Sequence, residues 1–382
     1  MKYWRGYLVA AILGVCSWGL MELGKNYATL IDMMYPYMSR MVVSNLTDWS
    51  LTVYFCLWQL VAAVLVVGLL ASIVLMILLR WNPIQWFGWV LAVGSLLFLI
   101  HTGVYGLNYY AGSIAEDVRL EVTDNTVAEM EEAATYFRDQ ANALAQTISR
   151  NSDGTLNYPD FETLAGQAED GFLTLTYQKS YPVFAGSLQP VKKLSWSDSF
   201  TARGITGMTV ALTGEAAVNP DTPTVILPYV MCREMCHRMS IASEQDTGFA
   251  AFLTCISNAS PEFQYAGYFM AYRYCYDALT ALPTTTGQAA AERVKSGVNA
   301  QMLKDLADYD GFFAGREGAA TAGSGIYLQE TYRKDQAPLP SVFELLTSWY
   351  IREFVLPLQA EEDVTFDPFD KNQVDLSGMS RA

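Results

Sequence analysis

The chain has 382 residues, of which 52% are hydrophobic and only 16% charged, and its formal net charge is −15. Such a high apolar content excludes an ordinary soluble globular protein. The first 110 residues hold only five of the 24 basic and three of the 39 acidic residues, so the remainder is strongly acidic. Because an acidic surface repels phosphate backbones, we expect no nucleic-acid partner, whereas cationic peptides or cell-wall components are compatible.

Residues 1–110 form a predicted transmembrane region with three helices, at about residues 7–24, 51–79 and 84–108. The second and third apolar stretches reach the roughly 20 residues that a helix needs to cross a bilayer. The first stretch is shorter and follows two basic residues, as in a signal peptide. We favour a retained anchor because no small-x-small cleavage pattern follows it.

Basic residues near the ends of membrane helices tend to remain in the cytoplasm, and they set the predicted orientation. Lys2, Arg5 and Arg80 place the N-terminus and the turn between the second and third spans inside. Three crossings then place the C-terminal domain outside, in a multi-pass protein of the cell membrane with the lipid bilayer as its first partner. Lys25 and Arg40 lie on the predicted outer side and oppose this orientation mildly.

Residues 111–360 form the predicted extracytoplasmic domain, followed by an acidic, irregular tail at residues 361–382. Thr126 and Glu129 have the spacing of a capping box at a helix start. Short β-type segments at 204–210 and 224–227 predict a small sheet. Helical spacing of apolar residues predicts the remaining elements at 126–150, 159–177, 229–240, 243–257, 260–282, 288–312 and 341–354. The fold class is therefore a membrane protein with a mainly α (α+β) outer domain.

The run Arg233-Glu234-Met235-Cys236-His237 differs at one position from H-E-x-x-H. In that motif two histidines, four apart on a helix, bind zinc, and the glutamate acts as general base of a metallopeptidase. Arginine replaces the first histidine in this chain. The other histidine of the chain, His101, falls within the third predicted span. There we favour a hydrogen bond to a neighbouring helix over a functional role.

Residues 190–279 resemble an uncharacterised family of bacterial membrane proteins, a domain of unknown function with N-terminal spans and an extracytoplasmic zincin-like H-E-x-x-H helix. The resemblance implies a general base at Glu234, a metal ligand at His237 and a third ligand at Glu244 or Asp246. Asp246 stands where the family usually has glutamate, and its side chain is one methylene shorter. The matching pieces follow one another in a single order: 204–207, 213–219, 227–228, 249–253 and 265–274.

Arg233 changes what this site can bind. A guanidinium has no lone pair to donate to a metal, and it remains charged in proteins. Its planar fork can instead pair with a carboxylate, and the candidates are Glu234, Glu244 and Asp246. We therefore predict a metal-free, zincin-like site, with zinc as the cofactor only if the protein is active. The alternative is that Arg233 points into solvent.

Four cysteines surround the motif, and their spacing leaves three alternatives. Buried free thiols are favoured, because cysteine is a common small core residue. A disulfide is compatible with an oxidising exterior, and a four-thiolate metal site is the third alternative, although the spacing matches no known zinc pattern. The four are Cys232, Cys236, Cys255 and Cys275.

Three functional hypotheses follow. The first is a catalytically inactive, metallopeptidase-like protein that binds a peptide or a cell-wall ligand outside the membrane. The second is an active zinc metallopeptidase in which His237, a thiolate and either Glu244 or Asp246 hold the metal. The third is a structural membrane subunit.

Overall fold

The computed structural model describes residues 2–316, 324–334 and 336–357, so the predicted acidic tail lies outside the described residues. Four long helices come first: α1 (Arg5–Asn26), α2 (Ala28–Ser50), α3 (Leu57–Leu78) and α4 (Pro83–Val104). Within the described ranges, α1, α3 and α4 are long and apolar enough to cross a membrane, which confirms the three predicted apolar helices. Their side chains are mostly exposed, as expected for helices that face lipid.

Helix α2 was not predicted, and it packs onto the rest of the protein through a face of small and polar residues. This face consists of Ser39, Val43, Thr47 and Ser50, which are spaced three or four apart and so lie on one side of the helix. The Thr47 hydroxyl donates to the carbonyl of Gly214 at 2.6 Å. Arg40 donates to the carbonyls of Met239 and Pro182, so α2 is fixed to the segment that follows the motif.

Helices dominate the remainder, and the predicted mainly helical fold with a small sheet is confirmed. The predicted capping box of Thr126 and Glu129 is present. The single helix predicted at 288–312 is two helices, separated at 297–299. The helices are α5 (Ile114–Asp117), α6 (Val127–Thr147), α7 (Phe161–Gln167), α8 (Glu169–Leu173), α9 (Ser197–Thr201), α10 (Leu227–Arg238), α11 (Glu244–Ile256), α12 (Pro261–Ala281), α13 (Thr285–Ser296), α14 (Ala300–Phe313), α15 (Ser324–Arg333) and α16 (Val342–Tyr350).

In the described residues the sheet has strands β1 (Lys192–Lys193), β2 (Gly207–Val210) and β3 (Glu215–Val218), in the order β1-β3-β2. Strand β2 pairs antiparallel with β3, and β1 pairs parallel with it. Among the described residues, no strand pairs with the other long side of β2, which is therefore called here the free edge. The strand expected at 224–227 is wrong: residues 224–226 form a 3₁₀ turn that leads directly into α10, which has proline in its first turn.

A glutamate of the sheet caps the first turn of α3. The carboxylate of Glu215 accepts hydrogen bonds from the backbone amides of Leu57 and Trp58 at 2.7 and 2.8 Å. These amides have no partner within the helix. The Lys192 ammonium lies 2.7 Å from the same carboxylate and donates to the Ser50 carbonyl at 2.8 Å. This cluster, called here the α3 clamp, joins the sheet to the start of an apolar helix.

The other two apolar helices reach the same part of the protein. Gly24, near the end of α1, packs so closely on Tyr110 that an added Cβ would lie 2.4 Å from the ring. Thr102, near the end of α4, lies 2.8 Å from the hydroxyl of Tyr332 in α15. Three helix ends thus contact the mainly helical part of the protein, which follows α4, from one side: the end of α1, the start of α3 and the end of α4.

Candidate functional site

Helix α10 carries the Arg-Glu-x-x-His run and is almost entirely enclosed. It packs between β2 and β3 on one side and α11 and α12 on the other. Every residue of α10 is buried except Arg233, which is intermediate. Since a buried polar side chain needs a partner, the functional groups of this helix are held by their neighbours rather than by solvent.

A cavity of about 490 Å³ lies beside α10. The continuous segment 204–212, which contains β2, forms one wall. Side chains of α12, α14 and α15 form another, and the end of α4 with the turn after it forms a third. The polar and aromatic groups of the lining are His101, Tyr105, Tyr109, Thr206, Thr209, Tyr229, Arg233, Glu234, His237, Glu244, Tyr274, Tyr309 and Phe313.

Arg233 bridges two carboxylates in this cavity. Its Nη1 lies 3.0 Å from Oε1 of Glu234, and its Nη2 forms an ion pair with Oε2 of Glu244. The side chains of Arg233 and Glu244 remain 24% and 20% exposed, while Glu234 is 1% exposed. The guanidinium therefore links the middle of α10 to the first residue of α11, and it does not point into solvent.

The charges of this cluster stabilise one another. Burial opposes ionisation of Arg233, but Glu244 and Glu234 outweigh it and the pKa of Arg233 is raised. Burial likewise disfavours the Glu244 carboxylate, but Arg233 and His237 hold the pKa of Glu244 below its usual range. Two carboxyl groups, those of Glu234 and Glu244, thus face one guanidinium. The three residues are called here the arginine bridge.

His237 stands next to the arginine bridge in a fixed orientation. Its Nδ1 lies 3.0 Å from the carbonyl oxygen of Ile241. A carbonyl only accepts, so Nδ1 carries a proton and donates it to this oxygen. Nε2 lies 3.8 Å from Oε1 of Glu244. The ring therefore turns its Nε2 edge to the acidic side of the cavity.

Glu234 is held by strand β2. The Thr209 hydroxyl lies 2.8 Å from Oε2 of Glu234 and 2.9 Å from its backbone oxygen. Gly207 permits this close approach, because an added Cβ would lie 2.6 Å from Cγ of Glu234. The carboxylate is thus fixed between Arg233 and the strand, and both of its oxygens have partners.

Asp246 lies apart from the cavity. Its Oδ1 accepts hydrogen bonds from the hydroxyl of Ser113 at 2.7 Å and the amide of Ile114 at 3.0 Å. Burial raises the pKa of Asp246. Glu244 and Asp246 are two apart on α11, and residues at that spacing do not share a helix face. Of the predicted ligands, the structure brings His237 and Glu244 together, whereas Asp246 is hydrogen-bonded to the start of α5.

The cysteines also lie away from the cavity. All six are free thiols. Cys232, Cys236, Cys255 and Cys275 are fully buried or nearly so, and none of them contributes to the described lining. Burial raises the pKa of Cys232, and a hydrogen bond with Cys255 raises it further. The described lining around His237 therefore contains no cysteine sulfur.

A zinc site needs three protein ligands and a space for the ion. Across residues 2–316, 324–334 and 336–357, no three His, Cys, Asp or Glu side chains converge in a way that could hold a metal. Arg233 instead places a permanent cation between the carboxylates that would be available. The donor set in this cavity does not fit a zinc ion.

Several residues of the cavity were not recognised from the sequence. Thr209 lies in the predicted strand before the motif. Side chains alternate along a strand, so Gly207 and Thr209 share one face, and this pattern was the signal that could have identified Thr209. Tyr105 donates to the carbonyl of His237 at 3.0 Å. His101 lines the cavity, and its Nδ1 lies 3.4 Å from the Tyr332 hydroxyl. Gln329 of α15 accepts from the backbone amide of Glu244 at 2.9 Å, a contact for which the sequence carries no pattern.

These elements define a mainly helical protein with candidate membrane spans and a buried Arg-Glu-His cluster in a cavity. Residues 31–334 match a family described as a protein of unknown function (DUF3810), and the chain belongs to this family. The matched range begins in α2 and ends just after α15, so it includes every side chain of the arginine bridge. Neither the curated proteins nor the solved structures gave a match.

Proposed function

We propose that this protein is a membrane-anchored, zincin-like binding protein that has lost hydrolytic activity and holds a peptide or a cell-wall ligand outside the membrane. The observation that carries the proposal is the arginine bridge. Arg233 stands at the first histidine position of an H-E-x-x-H-like run, and its guanidinium pairs with Glu244 and Glu234. The ion pairs join α10 to α11, which is the connection that a metal would otherwise supply.

The free edge of β2 supports an extended peptide as the ligand. In an antiparallel pair, half of the backbone N–H and C=O groups of an edge strand point away from its partner. Residues 204–212 line the cavity along the whole of this strand. An extended peptide can add to such an edge through main-chain hydrogen bonds, with its side chains in neighbouring pockets.

The orientation is also part of the proposal. The basic residues Lys2, Arg5 and Arg80 favour the cytoplasm. Each apolar helix has one end near these residues and contacts the part of the protein that follows α4 through its other end. The cavity would then be extracytoplasmic. Attachment of a reporter enzyme after residue 357 tests this directly: alkaline phosphatase should be active there, and a reporter active only in the cytoplasm would contradict the orientation.

Metal content and proteolysis test the function. The full chain in nanodiscs, dialysed against zinc, is expected to contain no stoichiometric metal and to cleave no casein-derived peptide. Stoichiometric zinc, together with chelator-sensitive cleavage that Glu234→Gln abolishes, would establish the active metallopeptidase instead. Glu121→Gln, at an exposed position, is the matched control and should leave either result unchanged.

A further inference from the structure

One wall of the cavity belongs to a candidate membrane helix. His101 lines the cavity and lies three residues before the end of α4, and Tyr105 and Tyr109 follow in the turn after it. At 1.5 Å per residue, His101 is about 5 Å inside the end of the helix. The cavity therefore extends down to the level at which the apolar span begins.

The opposite wall is the free edge of β2, so one ligand can contact both the strand and the base of the membrane helix. Tyr105 and Tyr109 suit this boundary, because tyrosine is favoured where an apolar phase meets water. The α3 clamp fixes β3, the neighbour of β2, to the start of a second apolar helix. The edge strand is thereby held at a constant height above the membrane surface.

The charge of the cavity distinguishes between two membrane-bound occupants, a phospholipid headgroup and a polypeptide. The arginine bridge has two carboxyl groups for one guanidinium, and Glu244 is its more exposed acidic member. A phospholipid headgroup would bring a phosphate next to this carboxylate, which is unfavourable at short range. A polypeptide segment that is neutral or cationic meets no such repulsion, and its backbone can pair with β2.

We infer that the ligand is the extended segment next to the membrane anchor of a second, membrane-tethered polypeptide. The inference rests on the proposed peptide-binding function and specifies its ligand class. Binding through the main chain alone is weak and tolerant of sequence. Tethering both partners to one bilayer raises the effective concentration, and such linkage increases overall binding by about 10²–10⁴-fold.

A photocrosslinking experiment on the full chain in phosphatidylcholine nanodiscs tests this. Met208, in β2 at the cavity, is replaced by benzoylphenylalanine. The probe is a synthetic peptide with a leucine-rich span and a 12-residue outer extension of alanine, serine and threonine with a free amino terminus. The same extension without the span is the untethered probe. Benzoylphenylalanine at Tyr177, which is 75% exposed and does not line this cavity, measures non-specific labelling.

The expected result is crosslinking at position 208 that is about 100-fold stronger for the tethered peptide than for the untethered one at equal concentration. An otherwise identical tethered peptide with proline at every second position of the extension should fall to the level at position 177, because proline cannot donate to a strand edge.

Three results would overturn the inference. Equal labelling by tethered and untethered peptides would remove the membrane requirement and leave peptide binding intact. Labelling of phosphatidylcholine alone at position 208 would identify a lipid as the occupant. Labelling by either peptide that never exceeds the level at position 177 would overturn both this inference and the proposed function.

Discussion

The arginine bridge and the α3 clamp are both buried clusters of a cation and carboxylates, but they differ in how fully their groups are paired. In the α3 clamp, Lys192 and Glu215 match one to one, and the carboxylate also accepts two backbone amides. In the arginine bridge, two carboxylates share one guanidinium, and Glu244 remains 20% exposed to the cavity. The clamp is fully paired, whereas the bridge leaves part of one carboxylate exposed to the cavity.

The largest effect is expected from restoring the missing imidazole. Arg233→His places two imidazoles four apart on α10 beside Glu244, a set of three ligands suited to zinc. Zinc content measured by atomic absorption should rise from about zero to about one per chain. Arg293→His, which alters an exposed arginine paired with Glu131, is the control and should bind none.

Double variants identify the third ligand. Glu244→Gln in the Arg233→His background should abolish zinc binding, because Glu244 faces the cavity. Asp246→Asn in the same background should leave it intact, because Asp246 bonds to Ser113 and Ile114. Uptake of zinc that requires Asp246 and not Glu244 would refute this assignment.

The α3 clamp should respond to mutation through stability alone. Lys192→Met leaves Glu215 buried without its cation, and breaking a buried pair in this way costs about 3–5 kcal/mol. The free energy of unfolding in detergent, followed by near-ultraviolet circular dichroism, should fall accordingly. Lys193→Met, in an exposed pair with Glu162, should have no measurable effect. Glu215→Gln, which keeps an acceptor for the helix amides, provides a milder variant if Lys192→Met does not fold.

The arginine bridge should show a smaller, pH-dependent loss. Arg233 lowers the pKa of Glu244, so its stabilising effect is present above the usual carboxyl range and is lost as the pH falls through the lowered pKa. In Arg233→Met, burial instead raises the pKa of Glu244, and stability falls as the pH rises. The difference in unfolding free energy between wild type and variant should therefore be about 2 kcal/mol at pH 7 and should shrink as the pH falls below the usual carboxyl range. A difference independent of pH would argue against the ion pair.

The sequence predicted those features that depend on local pattern. Apolar length identified α1, α3 and α4, and the motif spacing placed Glu234 and His237 on one helix. Helix α2 was missed because its buried face consists largely of serine and threonine, with Pro36 inside the helix. A search for periodic apolar residues does not detect such a face. Strand β3, with a glutamate, two alanines and a single valine, likewise has few of the β-branched residues that mark strands.

Contacts between distant elements could not be predicted in the same way. The motif suggested that Arg233 would pair with a carboxylate, but three were available and only packing selects among them. Glu244 and Asp246 sit on the same first turn of α11 and face different directions because of their spacing, but only the packing of α11 decides which of them faces the cavity. The contribution of His101 to the cavity depends on how the end of α4 packs on the residues that follow it, which is a long-range property.

The α3 clamp has a mechanical consequence. The carboxylate that closes the first turn of α3 belongs to the central strand of the sheet, so the helix cannot tilt against the sheet without breaking two amide hydrogen bonds and exposing an ammonium. Strand β3 and the first turn of α3 are therefore expected to move together as one rigid unit.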